Sequence, residues 1–138
     1  MHAQIDHEEM GRLQPLIRVL ESDEAILFAY LFGSRARGEQ TPLSDIDLAV
    51  YCRPLENAAD YRLDLFDRLG SALGSTRLDL VLLNFASLSL SGRILRDRLL
   101  LVDNEPSVRH AYESLTLREF WDFQRFEQMV LERRFDLG

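Results

Sequence analysis

The sequence predicts an α+β fold in which helices are layered against a small mixed β-sheet of about four strands, with a long helix at the C-terminus. Three observations predict it. Apolar residues recur at helical spacing in several segments. Short apolar runs bounded by Gly, Pro, Asn or Ser lie between them and read as strands. The resulting order is helix, strand, strand, helix, strand, helix, strand, helix, which is the order of a layered fold. A chain of 138 residues, 46% hydrophobic and 28% charged, has the size and composition of one globular domain. We read 1–138 as that domain, with a core over about 10–103 and a helical extension over about 107–135.

Each element has its own local reason. Leu13, Leu16, Ile17 and Leu20 follow the i, i+3, i+4, i+7 pattern and predict a helix over roughly 10–21. Pro15 requires that this helix either begin near Leu13 or bend. The run 25–32 is apolar throughout and ends at Gly33-Ser34, the signature of a strand buried on both faces. A polar stretch over 35–44, containing Gly38 and Pro42, leads into a second strand over 45–51, closed by Arg53-Pro54. No crossover helix of ordinary length fits between these two strands, which favours an antiparallel pair.

Over 58–73, Ala58, Ala59, Leu65, Phe66, Leu69 and Leu73 share one helical face, and Gly74 stands where a C-cap belongs. A third strand over 78–83, a helix over 88–97 entered through Ser87, and a short strand over 99–102 follow. After the turn Asp103-Asn104-Glu105-Pro106, the stretch 108–134 lacks Gly and Pro and predicts the last helix.

Charge and composition exclude several functions. Sixteen basic against twenty-three acidic residues give a formal charge of -7, the wrong sign for tracking a nucleic-acid backbone or an anionic membrane. All sixteen basic residues are arginine, so a Walker-type phosphate loop and Schiff-base chemistry are both ruled out. The single Cys52 forms no internal disulfide, and His2, His7 and His110 are too scattered to build a zinc site with it. The longest apolar run is far short of a membrane span and the polar start is no signal peptide, so a cytoplasmic protein is expected.

Three acidic residues interrupt strand patterns. Asp45 and Asp47 stand two apart, a spacing that turns both side chains to one face of a strand, and Asp79 lies inside Leu78-Asp79-Leu80-Val81. An adjacent strand could bring Asp79 to meet them. Three carboxylates together repel unless cations neutralise them, and hard oxygen ligands without His or Cys suit Mg²⁺ or Mn²⁺ shared with substrate phosphates. Gly33-Ser34 ends the first strand and opens a turn whose free N–H groups and Ser34 hydroxyl suit a phosphate.

Gly33-Ser34, ten residues, then Asp45-Ile46-Asp47 and a later strand carboxylate resemble the signature of the DNA polymerase β-like nucleotidyltransferase superfamily. The fuller runs 31–38 and 44–50 resemble in particular the minimal nucleotidyltransferases (MNT proteins), commonly antitoxin partners of HEPN-domain RNase toxins. The resemblance covers roughly 10–103. It implies a nucleotidyltransferase fold in which Asp45 and Asp47 bind divalent metal and Asp79 shares a metal and helps deprotonate the attacking hydroxyl. It implies that Gly33 and Ser34 hold the β- and γ-phosphates of ATP, with Arg35, Arg37 and Ser44 beside the nucleotide. The implied reaction is transfer of AMP from ATP to a tyrosine hydroxyl of a HEPN toxin, in-line at the α-phosphorus with pyrophosphate leaving.

Two other functions compete with it. One is transfer to a small-molecule hydroxyl of the aminoglycoside type, disfavoured by the small space after Val102. The other is a non-catalytic antitoxin that acts by binding alone, disfavoured by the retention of all three carboxylates and Gly33-Ser34. Arg35 and Arg37 are each open to the plainer role of a solvated charge or a partner for Glu39. His110 reads as a surface helix residue. The last helix is apolar almost all round, through Leu115, Leu117, Phe120, Trp121, Phe123, Phe126, Met129, Val130, Leu131 and Phe135. Such surplus apolar surface points to a partner, here the HEPN protein, or to self-association.

Overall fold

A computed structural model describes residues 7–39 and 44–136. His2, Pro42 and the rest of 1–6 and 40–43 lie outside the described residues, as does the side chain of Phe135. The elements are α1 (His7–Ser22), β1 (Ile26–Phe32), a one-turn α2 (Gly33–Ala36), β2 (Ile46–Cys52), α3 (Ala58–Leu73), β3 (Leu78–Leu82), α4 (Leu88–Asp97), β4 (Leu99–Asp103) and α5 (Pro106–Asp136). The sheet order is β3-β2-β1-β4. β1 runs antiparallel to both β2 and β4, and β2 runs parallel to β3, so the sheet is mixed as expected.

Alternation along the strands divides the core between the two faces of the sheet. Leu48, Val50 and Cys52 of β2, with Leu78, Leu80 and Leu82 of β3, pack with Leu13, Leu16 and Leu20 of α1 and Leu65 and Leu69 of α3. Phe28 and Tyr30 of β1 and Ala49 of β2 face the other way, toward Ile94 and Leu95 of α4, with Val108, Tyr112 and Leu117 of α5 against them. β1 lies inside the sheet between helical layers, which is why six of its seven residues are buried.

The helix ends follow capping chemistry. Asn57 accepts a hydrogen bond from the Asp60 N–H at the start of α3, and Gly74 ends it with φ +73°. The Ser87 hydroxyl caps α4 by accepting from the Leu90 N–H. α1 begins at His7, earlier than expected, and Pro15 is interior to it, the longer of the two placements open to it. The proline removes one donor toward Gly11, yet Leu13, Leu16, Ile17 and Leu20 are all buried, and that packing holds the helix through it.

α5 docks by its first half only. Tyr30 Oη donates to Glu113 at 2.6 Å, and Arg98 and Arg109 each meet the Glu113 carboxylate at 3.0 Å. Phe120 is buried and packs so closely on Gly92 of α4 that no side chain fits at that glycine. From Trp121 to Arg134 every side chain is exposed, including Trp121 at 60% and Phe126 at 58%. His110 is exposed on the same helix, as expected. Among the described residues no helix is long and apolar enough to cross a membrane.

Candidate active site

The parallel register of β2 and β3 sets Asp47 directly opposite Asp79. Both share the sheet face that α4 covers, because Ala49 and Val81, two residues further along each strand, pack there. Asp45 is not on the strand. β1 ends at Phe32, whose partner is Asp47, so continuing the ladder to Asp45 would need Ser34, which has already turned into α2. Asp45 is therefore an exposed residue on the approach to β2, immediately before the strand.

The three carboxylates nonetheless act on one another. Burial, then the negative charge of Asp79, then that of Asp45 push the Asp47 carboxyl up to about 6, against opposing pulls from Arg35 and Arg37. Gly33 adopts φ +75°, and the Asp47 carboxylate fills the place of its missing side chain, with Cγ 3.1 Å from where a Cβ would stand. Only glycine combines that backbone with that approach. Ser34, the next residue, is partly buried in the same turn.

Arg35 is a correction to the expected nucleotide contact. Its side chain is 4% exposed and ion-paired with Glu9 of α1. Its Nη2 donates to the Ser44 carbonyl at 2.8 Å and its Nε to the Asp45 carbonyl at 3.3 Å. The guanidinium is thus turned into the protein, where it fixes the backbone that presents Asp45. Ser44 enters this arrangement through its carbonyl oxygen. Arg37 points outward and pairs with Glu39 at 3.1 Å and Asp97 at 3.0 Å, the plainer of the two roles open to it in the sequence.

The donor chemistry matches a hard divalent cation: carboxylate oxygens only, one carboxyl raised by burial and by its like-charged neighbours. Among the described residues no three His, Cys, Asp or Glu side chains already enclose an ion position.

Two cavities lie beside this region, one lined by Asp79 and one by Gly33, with Leu90 of α4 in the wall of both. One, of about 410 Å³, opens beside Asp79 along the edge strand β3 and is lined by apolar groups including Val81 and the largely exposed Phe85. Arg62, in the same lining, donates twice to the Leu80 carbonyl, at 3.0 and 2.8 Å, satisfying an edge-strand group. The other, of about 280 Å³, begins at Gly33 and is walled by Arg37, Arg93, Arg96 and Asp97.

Sequence reasoning did not single out Glu9, Arg62, Arg93 or Arg96. Glu9 and Arg62 carry no pattern that foretells their partners. Leu90, Arg93 and Asp97 do recur at i, i+3, i+7 on α4, a one-face signal.

Residues 14–107 match the family model described as polymerase beta, nucleotidyltransferase. The chain belongs to the polymerase β nucleotidyltransferase family. It is accordingly a nucleotidyltransferase, with the sheet and helix arrangement of that fold. No curated protein matches it significantly. Among solved structures, a chain of the complex of tri-AMPylated Shewanella oneidensis HEPN toxin with MNT antitoxin aligns at TM-score 0.69 and 24% identity, over 91% of this chain and 98% of that one. A chain of the MntA–HepT toxin–antitoxin aligns at TM-score 0.67 and 24% identity, over 91% and 98%. A toxin–antitoxin structure with AMP-PNP aligns at TM-score 0.64 and 27% identity, over 88% and 94%.

Proposed function

We propose that this nucleotidyltransferase transfers AMP from ATP to a tyrosine hydroxyl of a HEPN-domain toxin and so acts, in the cytoplasm, as its antitoxin. The observation that carries the proposal is the facing of Asp47 and Asp79 across β2 and β3, with Gly33 packed against Asp47. The likeness to structures of an AMPylated HEPN toxin with its MNT partner, and of a toxin–antitoxin with AMP-PNP, supports the acceptor and the donor.

In this reading Asp45, Asp47 and Asp79 are the catalytic and metal-holding residues, for Mg²⁺ or Mn²⁺. Such ions, when bound, supply charge stabilisation for the entering and departing oxygens. Asp79, on the exposed β3 edge, takes the phenolic proton as the tyrosine oxygen bonds to the α-phosphorus. The bond from that phosphorus to the bridging oxygen breaks, and pyrophosphate leaves with the electron pair. Gly33 lets the backbone approach the β- and γ-phosphates, with the Ser34 hydroxyl as a further donor. Arg35 and the Ser44 carbonyl hold the Asp45 backbone in place, and Arg37 contributes positive charge nearby. The exposed apolar half of α5 docks the partner, because burying Trp121, Phe123 and Phe126 would remove much apolar surface from water.

The test is intact-mass spectrometry of a HEPN protein after incubation with this chain, ATP and Mg²⁺, beside an Asp45→Asn/Asp47→Asn double variant. Gain of whole AMP units, abolished in the variant, is the expected result. A stable complex without any mass gain would reduce the protein to a binding antitoxin.

A further inference from the structure

We propose that Arg93 of α4 grips the terminal phosphates of the nucleoside triphosphate, in the cavity that begins at Gly33, and holds the pyrophosphate as it leaves. The proposal rests on the nucleotidyl-transfer reading above and extends it to a residue outside the Gly33-Ser34 and Asp45-x-Asp47 motifs.

The charges around the cavity single this residue out. Its walls carry three arginines and one aspartate. Arg37 is held by Asp97 and Glu39, and Arg96 stands 3.9 Å from the same Asp97. Arg93 is exposed and has no ion pair or hydrogen bond among the described residues. Asp97 and Glu39 thus answer to Arg37 and Arg96 while the guanidinium of Arg93 is unmatched, in a chain whose overall charge is -7. An unpaired guanidinium is where a polyanion gains most, and its fork fits two phosphate oxygens at once.

Position gives an independent argument. In-line displacement puts the leaving group opposite the attacking oxygen. Asp79 lines one cavity and Gly33 the other, and Leu90 is in the wall of both. With the acceptor hydroxyl in the cavity of Asp79, we place the departing pyrophosphate in the cavity of Gly33 and Arg93. The helix that carries Arg93 is fixed there: the preceding Gly92 is packed on Phe120 of α5, and Ile94 and Leu95 are buried. The guanidinium swings from an anchored base.

The test compares dissociation constants for ATP, AMP and inorganic pyrophosphate, by calorimetry in magnesium buffer, for the wild type, Arg93→Gln, Arg93→Lys and an Arg18→Gln control on the exposed face of α1. Arg93→Gln should weaken ATP and pyrophosphate by about tenfold or more while AMP changes by less than about twofold, the size expected for a lost charge-assisted contact. Arg93→Lys should recover part of the loss, and Arg18→Gln should match the wild type. ATP binding by Arg93→Gln at wild-type strength overturns the proposal. So does an equal loss for ATP and AMP, or an equal loss in Arg18→Gln. If the wild type binds none of these ligands, the nucleotidyl-transfer reading fails and this proposal falls with it. Wild-type binding with an unaffected Arg93→Gln removes this proposal alone.

Discussion

The carboxylate of Asp47 occupies the space that a side chain on Gly33 would fill. The strand that presents the acid and the turn after β1 are therefore one packed unit, and the left-handed backbone of Gly33 is part of it. Gly33→Ala should lower folding stability by roughly 1–2 kcal/mol for the left-handed conformation alone, and should displace Asp47. AMP transfer should fall at least about a hundredfold, since sub-ångström positioning governs such steps. Gly11→Ala in α1 is the contrast, because nothing lies within 4 Å of the added methyl. It should stabilise the chain by roughly 0.5–1 kcal/mol without touching activity. Denaturant unfolding and a transfer assay on both variants check this.

Asp47 also links function to stability. Its carboxyl is pushed up to about 6 from the ordinary 3.8, first by burial and then by Asp79 and Asp45. Between those values the folded chain binds more protons than the unfolded one, so in the metal-free protein this residue makes stability fall as pH rises from about 4 to about 6. The penalty is fully present above that window. Asp47→Asn removes it: the variant should melt higher than the wild type at pH 7, converge with it near pH 4, and transfer no AMP. Melting curves across this range would contradict the account if the variant were the less stable at pH 7.

Asp23 has the opposite sign. Burial alone would raise its carboxyl, but hydrogen bonds from Tyr61, from Arg68 and from the Ala25 N–H outweigh it and hold the group below its ordinary value. Its contribution is present above about pH 4 and lost as pH falls through the lowered value. Asp23→Asn should therefore lose stability at pH 7 and approach the wild type in acid, which the same melting series reads out.

The Glu9–Arg35 pair is buried on both sides, so removing one partner leaves an uncompensated charge. Glu9→Ala should destabilise the fold by about 3 kcal/mol and free the segment at Ser44 and Asp45 that Arg35 holds. An equilibrium unfolding change below about 1 kcal/mol would show the pair to be solvated.

Much of this architecture was legible because local chemistry and tertiary packing agree. The bounds of α3 and α4 follow from Gly74 and Ser87, residues whose backbone and hydroxyl end or begin helices wherever they occur. The pairing of Asp47 with Asp79 was foreseeable only as a possibility of an adjacent strand, since register depends on contacts that spacing does not encode. Asp45 was misplaced on the strand because alternation does not reveal where the partner strand stops. α1 starts earlier than the 10–21 expected because the apolar recurrence begins only at Leu13, and the buried face that decides between the two placements open to Pro15 is tertiary. The inward turn of Arg35 and the outward turn of Arg37 were indistinguishable: two arginines two apart look alike until Glu9 arrives from α1.

The distal half of α5 carries a further expectation. Phe123→Glu/Phe126→Glu changes only exposed side chains, so ATP binding and melting temperature should match the wild type. Stable association with a HEPN partner, followed by size-exclusion chromatography, should be lost. An intact complex would move the docking surface elsewhere.

The most direct measurement is the fate of the phosphates. The chain, a HEPN protein and Mg²⁺ are incubated in parallel with ATP labelled at the α-phosphate and ATP labelled at the γ-phosphate. Attack at the α-phosphorus predicts label on the HEPN protein from the α position only, with γ-label recovered in pyrophosphate. Label arriving from the γ position, or from neither while ATP remains intact, would contradict nucleotidyl transfer as the activity of this site.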